Sequence, residues 1–330
     1  MNHDHHAYQQ ATRVAGFGFL IQLAIGLTIF IFGRATGDTA FQFSAAYILV
    51  GTPAWLSLII IFHQHTLERL EALEEDELAA ARLDSTSVFD DAGEDIRVAS
   101  RRLRVMHKFL MPAVSLLSAL LLGGLAWFLL VILDRMGQGD FTFSLSSQRG
   151  WAVAICIGFA LLSFIFSRFV AGMAKQPVWQ NLRGGAGFMV GNALVLAAVA
   201  IGIVFLYFDN TSVIEAIAYA IPIFMIVLAA EMVLNYILNL YRPRVVGEVP
   251  RPAFDSKLLS LFSAPDNLVR SLNEAVNYQF GFDITSSWGY QLLLRSFVWL
   301  LLIGAGVIVV LNTVVIVEDH QQAVKLAGGR

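Results

Sequence analysis

Seven long apolar stretches alternate with polar ones along the chain, at residues 14–32, 41–62, 109–133, 151–171, 187–208, 213–240 and 291–311. Within each, hydrophobic side chains run on without the alternation of a half-buried strand or the single stripe of a surface helix, the pattern of a helix surrounded by lipid. A hydrocarbon core of about 30 Å needs about 20 helical residues, so each stretch predicts one crossing. The expected fold class is an all-α polytopic membrane protein with about seven transmembrane helices. The first stretch is too long for a signal-peptide core, and Arg34 follows it with no small-residue cleavage site, so a retained anchor is expected. Gly18, Gln22 and Gly26 recur every four residues on one face of it, where a second helix can approach closely. Pro53 is expected to kink the second span and Pro222 to bend the sixth.

The polar segments divide the chain further: a tail over 1–13, a two-span hairpin over 14–62, an arm over 63–108, a four-span bundle over 109–240, a loop over 241–290, a final anchor over 291–313 and a tail over 314–330. The arm changes sign along its length. Residues 67–95 hold eleven acids against Arg69 and Arg82, whereas 96–108 carry Arg97, Arg101, Arg102, Arg104 and Lys108 with no acid. That sign is the one headgroups attract, and the acidic part is expected to stand away from it. In the loop, Asp255 is expected to cap a short helix through Leu258, Leu259 and Phe262. Pro265 opens a second, whose stripe is Leu268, Val269, Leu272, Ala275 and Val276.

Composition narrows the class. With 57% hydrophobic and 14% charged residues and a mean hydropathy of +0.67, the chain is not a water-soluble globular protein. The net charge of −3 says little, because charges are confined to loops. Basic residues in short loops mark the cytoplasmic side. An inside N-terminus leaves only Arg34, Arg135, Arg149, Lys325 and Arg330 of the 22 Lys and Arg outside. The expectation is therefore a bacterial inner-membrane protein with a cytoplasmic N-terminus and a periplasmic C-terminus.

Two ionisable groups stand well inside spans, Arg168 in the fourth and Glu231 in the sixth, with Asn235 and Asn239 following Glu231 at helical spacing. A charge in hydrocarbon needs a partner, so Glu231 is expected to accept from the Arg168 guanidinium. The pair reads as a structural clamp, as a site for an ion, proton or headgroup, or as two snorkelling side chains. His63, His65 and His107 gather at the inner ends of the second and third spans. No histidine lies mid-span, as bis-histidine haem would need. His3, Asp4, His5 and His6 offer at most weak metal ligation in a solvated terminus. The run from Arg183 to Gly191 resembles a glycine-rich phosphate loop but lacks the preceding strand, and Gly187 and Gly191 suit close helix packing instead. Cys156, the single cysteine, reads as packing. No nucleophile with a base, no HExxH and no GxSxG is present, so the expectation is a protein without catalytic residues, metal, cofactor or nucleic-acid partner.

The last residues read as a β-branched run at 314–317, a polar turn, and a second short strand through Gln322, Ala323 and Val324 before Gly329 and Arg330. This resembles the opening hairpin of an SPFH domain, the fold of stomatins, prohibitins, flotillins and the bacterial HflK and HflC proteins. The loop adds to it: Tyr241, Arg242, Pro243 and Arg244, then Phe254, Asp255 and Ser256, then Tyr278, Gln279, Phe280, Gly281 and Phe282 resemble the segment before the final anchor of polytopic HflK-like proteins. Together these cover under a third of the chain, and the aromatic often found before the final glycine is replaced by Gly328. The resemblance implies a scaffold that assembles with itself or with other SPFH proteins and restrains an FtsH-type membrane protease without catalysing anything. It also implies that most of an SPFH domain, on the order of a hundred residues, would follow Arg330. A transporter or channel using Arg168 and Glu231 is the competing expectation, and membrane lipids are partners in either case.

Overall fold

A computed structural model describes residues 4–83, 98–137, 148–241 and 251–263, together with Ser296, Trp299 and Ile303. All its described elements are helical: α1 (Asp4–Thr36), α2 (Thr39–Val50), α3 (Thr52–Leu83), α4 (Val98–Val105), α5 (Met111–Gly137), α6 (Arg149–Met173), α7 (Leu182–Leu206), α8 (Ser212–Tyr241) and α9 (Lys257–Ser263). A π-helical turn, Met106–Leu110, joins α4 to α5, and a 3₁₀ turn, Pro177–Trp179, precedes α7. Among the described residues six stretches are long and apolar enough to cross a membrane, matching the first six predicted spans. The predicted seventh lies outside the described residues except Ser296, Trp299 and Ile303, which are helical. The second loop helix and the terminal hairpin lie outside them as well.

The turns follow from local chemistry. Gly37 takes a φ of 71°, which ends α1 without a Cβ clash, and the Asp38 carboxylate accepts the Phe41 N–H at 3.2 Å to start α2. The second span is interrupted at Gly51, which lies between α2 and α3 with helical φ and ψ, and Pro53 is second in α3. Proline has no N–H for the Leu49 carbonyl, and the Thr52 hydroxyl donates to that oxygen instead at 2.7 Å. Pro222 lies inside α8, which continues unbroken on both sides.

α7 is the central helix, touching α1, α2, α3, α6, α8 and α9. Its glycines make this possible. A Cβ at Gly184 would meet the Phe254 ring at 2.6 Å and one at Gly185 the Trp55 ring at 2.7 Å, while Gly187 and Gly191 receive Leu259, each at 3.4 Å. Tyr47 also lies against Gly191. On α1, Gly18 faces the Trp55 ring and Gly26 faces Leu49, so the predicted stripe is the α1 contact surface. Outward faces of α5, α6 and α8 carry exposed Leu120, Trp127, Phe128, Ile165, Phe169 and Ile237. In lipid such side chains need no protein cover.

Candidate functional site

α9 and the loop before it sit against the end of the bundle at which α1 begins, and four spans contribute to the seat. The Lys257 and Leu258 N–H groups donate to Glu231 Oε1 at 2.5 and 3.2 Å, and the Ser256 hydroxyl donates to Oε2. Ser256 Oγ accepts the Leu259 N–H at 3.1 Å, so Ser256 is the capping residue. Asp255, expected in that role, belongs to the preceding turn, its N–H bonded to the Pro252 carbonyl at 3.1 Å. At the other end of α9, Arg168 Nη1 donates to the Ser263 carbonyl at 2.9 Å. An anion thus holds the helix where its amides are free, and a cation where its carbonyls are free. The α5 Ser115 hydroxyl accepts the Phe254 N–H at 3.3 Å, and α7 supplies the glycines under Phe254 and Leu259.

Arg168 and Glu231 therefore do not form the expected ion pair among the described residues. The seven residues of α9 stand between them, a length of about 10 Å. Asn235 is half-buried one turn beyond Glu231, and Asn239 donates to the Arg251 carbonyl at 3.3 Å. Of the resemblance positions, Phe254 and Ser256 are buried in this seat, and Tyr241 is exposed at the end of α8. Arg242, Pro243, Arg244, Tyr278, Gln279, Phe280, Gly281, Phe282, Gln322, Ala323 and Val324 lie outside the described residues. Burial pushes the Asp255 carboxyl up to about 6; Arg183 and Arg251 oppose this, Glu231 adds to it and Lys257 opposes it.

A second polar constellation occupies the break in the second span. Gln22 Nε2 donates to the Ile48 carbonyl at 2.5 Å, and Asn192 Nδ2 donates to Gln22 Oε1 at 2.7 Å. Both amides are fully buried. Nearby, Tyr47 Oη and Trp55 Nε1 are buried without a hydrogen-bond partner among the described residues. Asn192 carries no sequence signal beyond being polar in an apolar run.

A third constellation joins α1, α3 and the π-helical turn. His65 and His107 face each other at 3.2 Å between Nε2 atoms, Glu68 stands 3.6 Å from His65 Nδ1, and Tyr8 stacks on His65 at 4.8 Å. His63, grouped with them in sequence, is exposed. At that spacing one nitrogen carries a hydrogen and the other a lone pair. No group of three metal-ligating side chains converges among the described residues. In its described part the acidic arm does not wholly stand away from the basic helix: Glu71 on α3 accepts the Ala99 and Ser100 N–H groups at 2.9 and 3.1 Å and so caps α4, while residues 84–95 lie outside the described residues. Free amides at a helix start attract a carboxylate more strongly than solvent separation favours keeping the charge runs apart.

No family model matches the chain, and no curated protein or solved structure is significantly similar to it.

Proposed function

We propose that this chain is the membrane-embedded anchor of an HflK-like SPFH scaffold that modulates an FtsH-type protease through assembly rather than catalysis. One observation supports the reading: both charges placed deep in spans, Arg168 and Glu231, hydrogen-bond to α9, the helix that directly follows the resemblance positions Phe254, Asp255 and Ser256. Ionisable groups inside a membrane usually mark a pathway or a site; here they serve architecture. In this reading the scaffold sits in a bacterial inner membrane, and the excess of basic residues in the loops supports placing α9 on the cytoplasmic side. Cross-linking the full-length protein in native membranes tests this. Recovery of an FtsH-type protease, with altered turnover of its membrane substrates when the gene is deleted, supports the reading. Unchanged turnover and no recovered protease overturn it.

A transporter remains the second reading, and the broken second span with its Gln22 and Asn192 amides favours it, since discontinuous helices commonly line transport sites. Proton or solute flux in proteoliposomes that disappears in Glu231→Gln and Asn192→Leu would establish it over the scaffold.

A further inference from the structure

We infer that the exposed face of α4 and of the π-helical turn is a docking surface for anionic phospholipid headgroups. Its inward stripe is Leu103, buried, with His107 against His65, and that stripe packs on α3. The opposite side presents Arg101, Arg102, Arg104 and Lys108, all exposed. It also presents Val98, Val105 and Phe109 at 49%, 52% and 61% exposure, with Lys108 Nζ 5.3 Å from the centre of the Phe109 ring. Arg101, Val105 and Phe109 recur every four residues, and with Lys108 three beyond Val105 they share one helix face.

Two of the described acids alongside are engaged elsewhere. Glu71 is committed to the amides that open α4, and Glu68 stands by His65. None of the four cations has an acidic partner among the described residues. Depth agrees with a lipid occupant. The continuous helix from Val98 to Met136 has 39 residues, about 58 Å, against a hydrocarbon core of about 30 Å. The apolar run starts at Phe109, so Lys108, Val105 and Arg104 fall within about 8 Å beyond it, the thickness of a headgroup layer. Arg101 and Arg102 lie about 12 Å out and reach back along their stems. Apolar side chains among cations at that depth suit the boundary between acyl chain and phosphate, not the surface of an acidic soluble protein.

The full chain, purified with an equimolar mixture of anionic and zwitterionic phospholipids, is read by native mass spectrometry for the lipids it retains. The wild type is expected to prefer the anionic lipid, by up to about fivefold per engaged cation. The quadruple variant R101Q/R102Q/R104Q/K108Q is expected to lose that preference, while R135Q/K175Q, which removes exposed charges elsewhere, and R101K/R102K/R104K, which keeps the charge, are expected to retain it. A spin label on Val105→Cys in the Cys156→Ala background should be more accessible to oxygen than to a polar nickel reagent in anionic bilayers. Equal lipid ratios in the wild type and the quadruple variant would overturn the inference. So would an anionic preference that emerges only after Asp84, Asp90, Asp91, Glu94 and Asp95 are neutralised, because the chain's own acids would then be the occupant.

Discussion

Trp55 shows how much a single position can depend on what its neighbours lack. Its ring lies between Gly18 and Gly185, and a Cβ on either would overlap it. Gly18→Ala and Gly185→Ala are therefore expected to destabilise the protein by about 1–3 kcal/mol each through overpacking. Gly124→Ala and Gly158→Ala, where a Cβ meets nothing within 4 Å, are expected to be neutral or slightly stabilising through helix propensity. Thermal unfolding in detergent compares the four. Asp255 makes a residue-scale prediction with a definite sign. A carboxyl whose folded pKa is about 6, against an ordinary value of 3.8, binds its proton more tightly in the folded state. Its stabilising contribution is then complete below pH 3.8 and is lost as pH rises through 6. Asp255→Asn is expected to raise the unfolding temperature by a few degrees at pH 7.5 and to flatten its fall between pH 4 and pH 6.5. Equal slopes in wild type and variant would remove burial of this carboxyl as the cause.

At the scale of elements, two helices are held by charges from other helices. The α9 amides near Glu231 and the α4 amides near Glu71 use the same device, a carboxylate at a helix start. Glu231→Gln keeps an acceptor but loses the charge, whereas Glu231→Ala loses both. Hydrogen exchange of amides 257–259 is expected to rise in the order wild type, Gln, Ala, with the Ala variant about 1–3 kcal/mol less protected locally. The broken span makes a different prediction. Gln22→Leu leaves the buried Asn192 amide without its present acceptor, while the Ile48 carbonyl keeps the Gly51 N–H, and Asn192→Leu leaves the Gln22 Oε1 without its donor while Gln22 Nε2 keeps Ile48. The double variant is expected to be less destabilised than the sum of the two singles, by about 1 kcal/mol or more in a double-mutant cycle. Additivity would mean the two amides are independent.

Over the whole molecule, the apolar runs were readable because lipid contact and burial both demand hydrophobic side chains, and six of them fall on helices of the described residues. The ends were less readable. α7 starts at Leu182, five residues before the predicted 187, because Gly184 and Gly185 look like a loop until Phe254 and Trp55 are seen filling the space they leave. The far end of α3 was legible: it runs on to Leu83, and residues 67–83 are strong helix formers in the sequence. The site was half legible. Arg168 and Glu231 stood out as charges in apolar runs, but their shared partner is a short helix remote from both in sequence, and nothing local connects them. Gln22 and Asn192 are 170 residues apart, and a polar residue in a span says that it needs a partner without saying which.

The seat of α9 also bears on how the chain is made. Ser115, Arg168, Gly184, Gly187 and Glu231 all precede Phe254 in the chain, so the ribosome has delivered every wall of the cradle before it delivers the piece that fits. Docking of α9 is consequently a late event in biogenesis. It reports that the fourth, fifth and sixth crossings have inserted in the correct orientation, since a single inverted span would carry its contact residue to the opposite side of the bilayer.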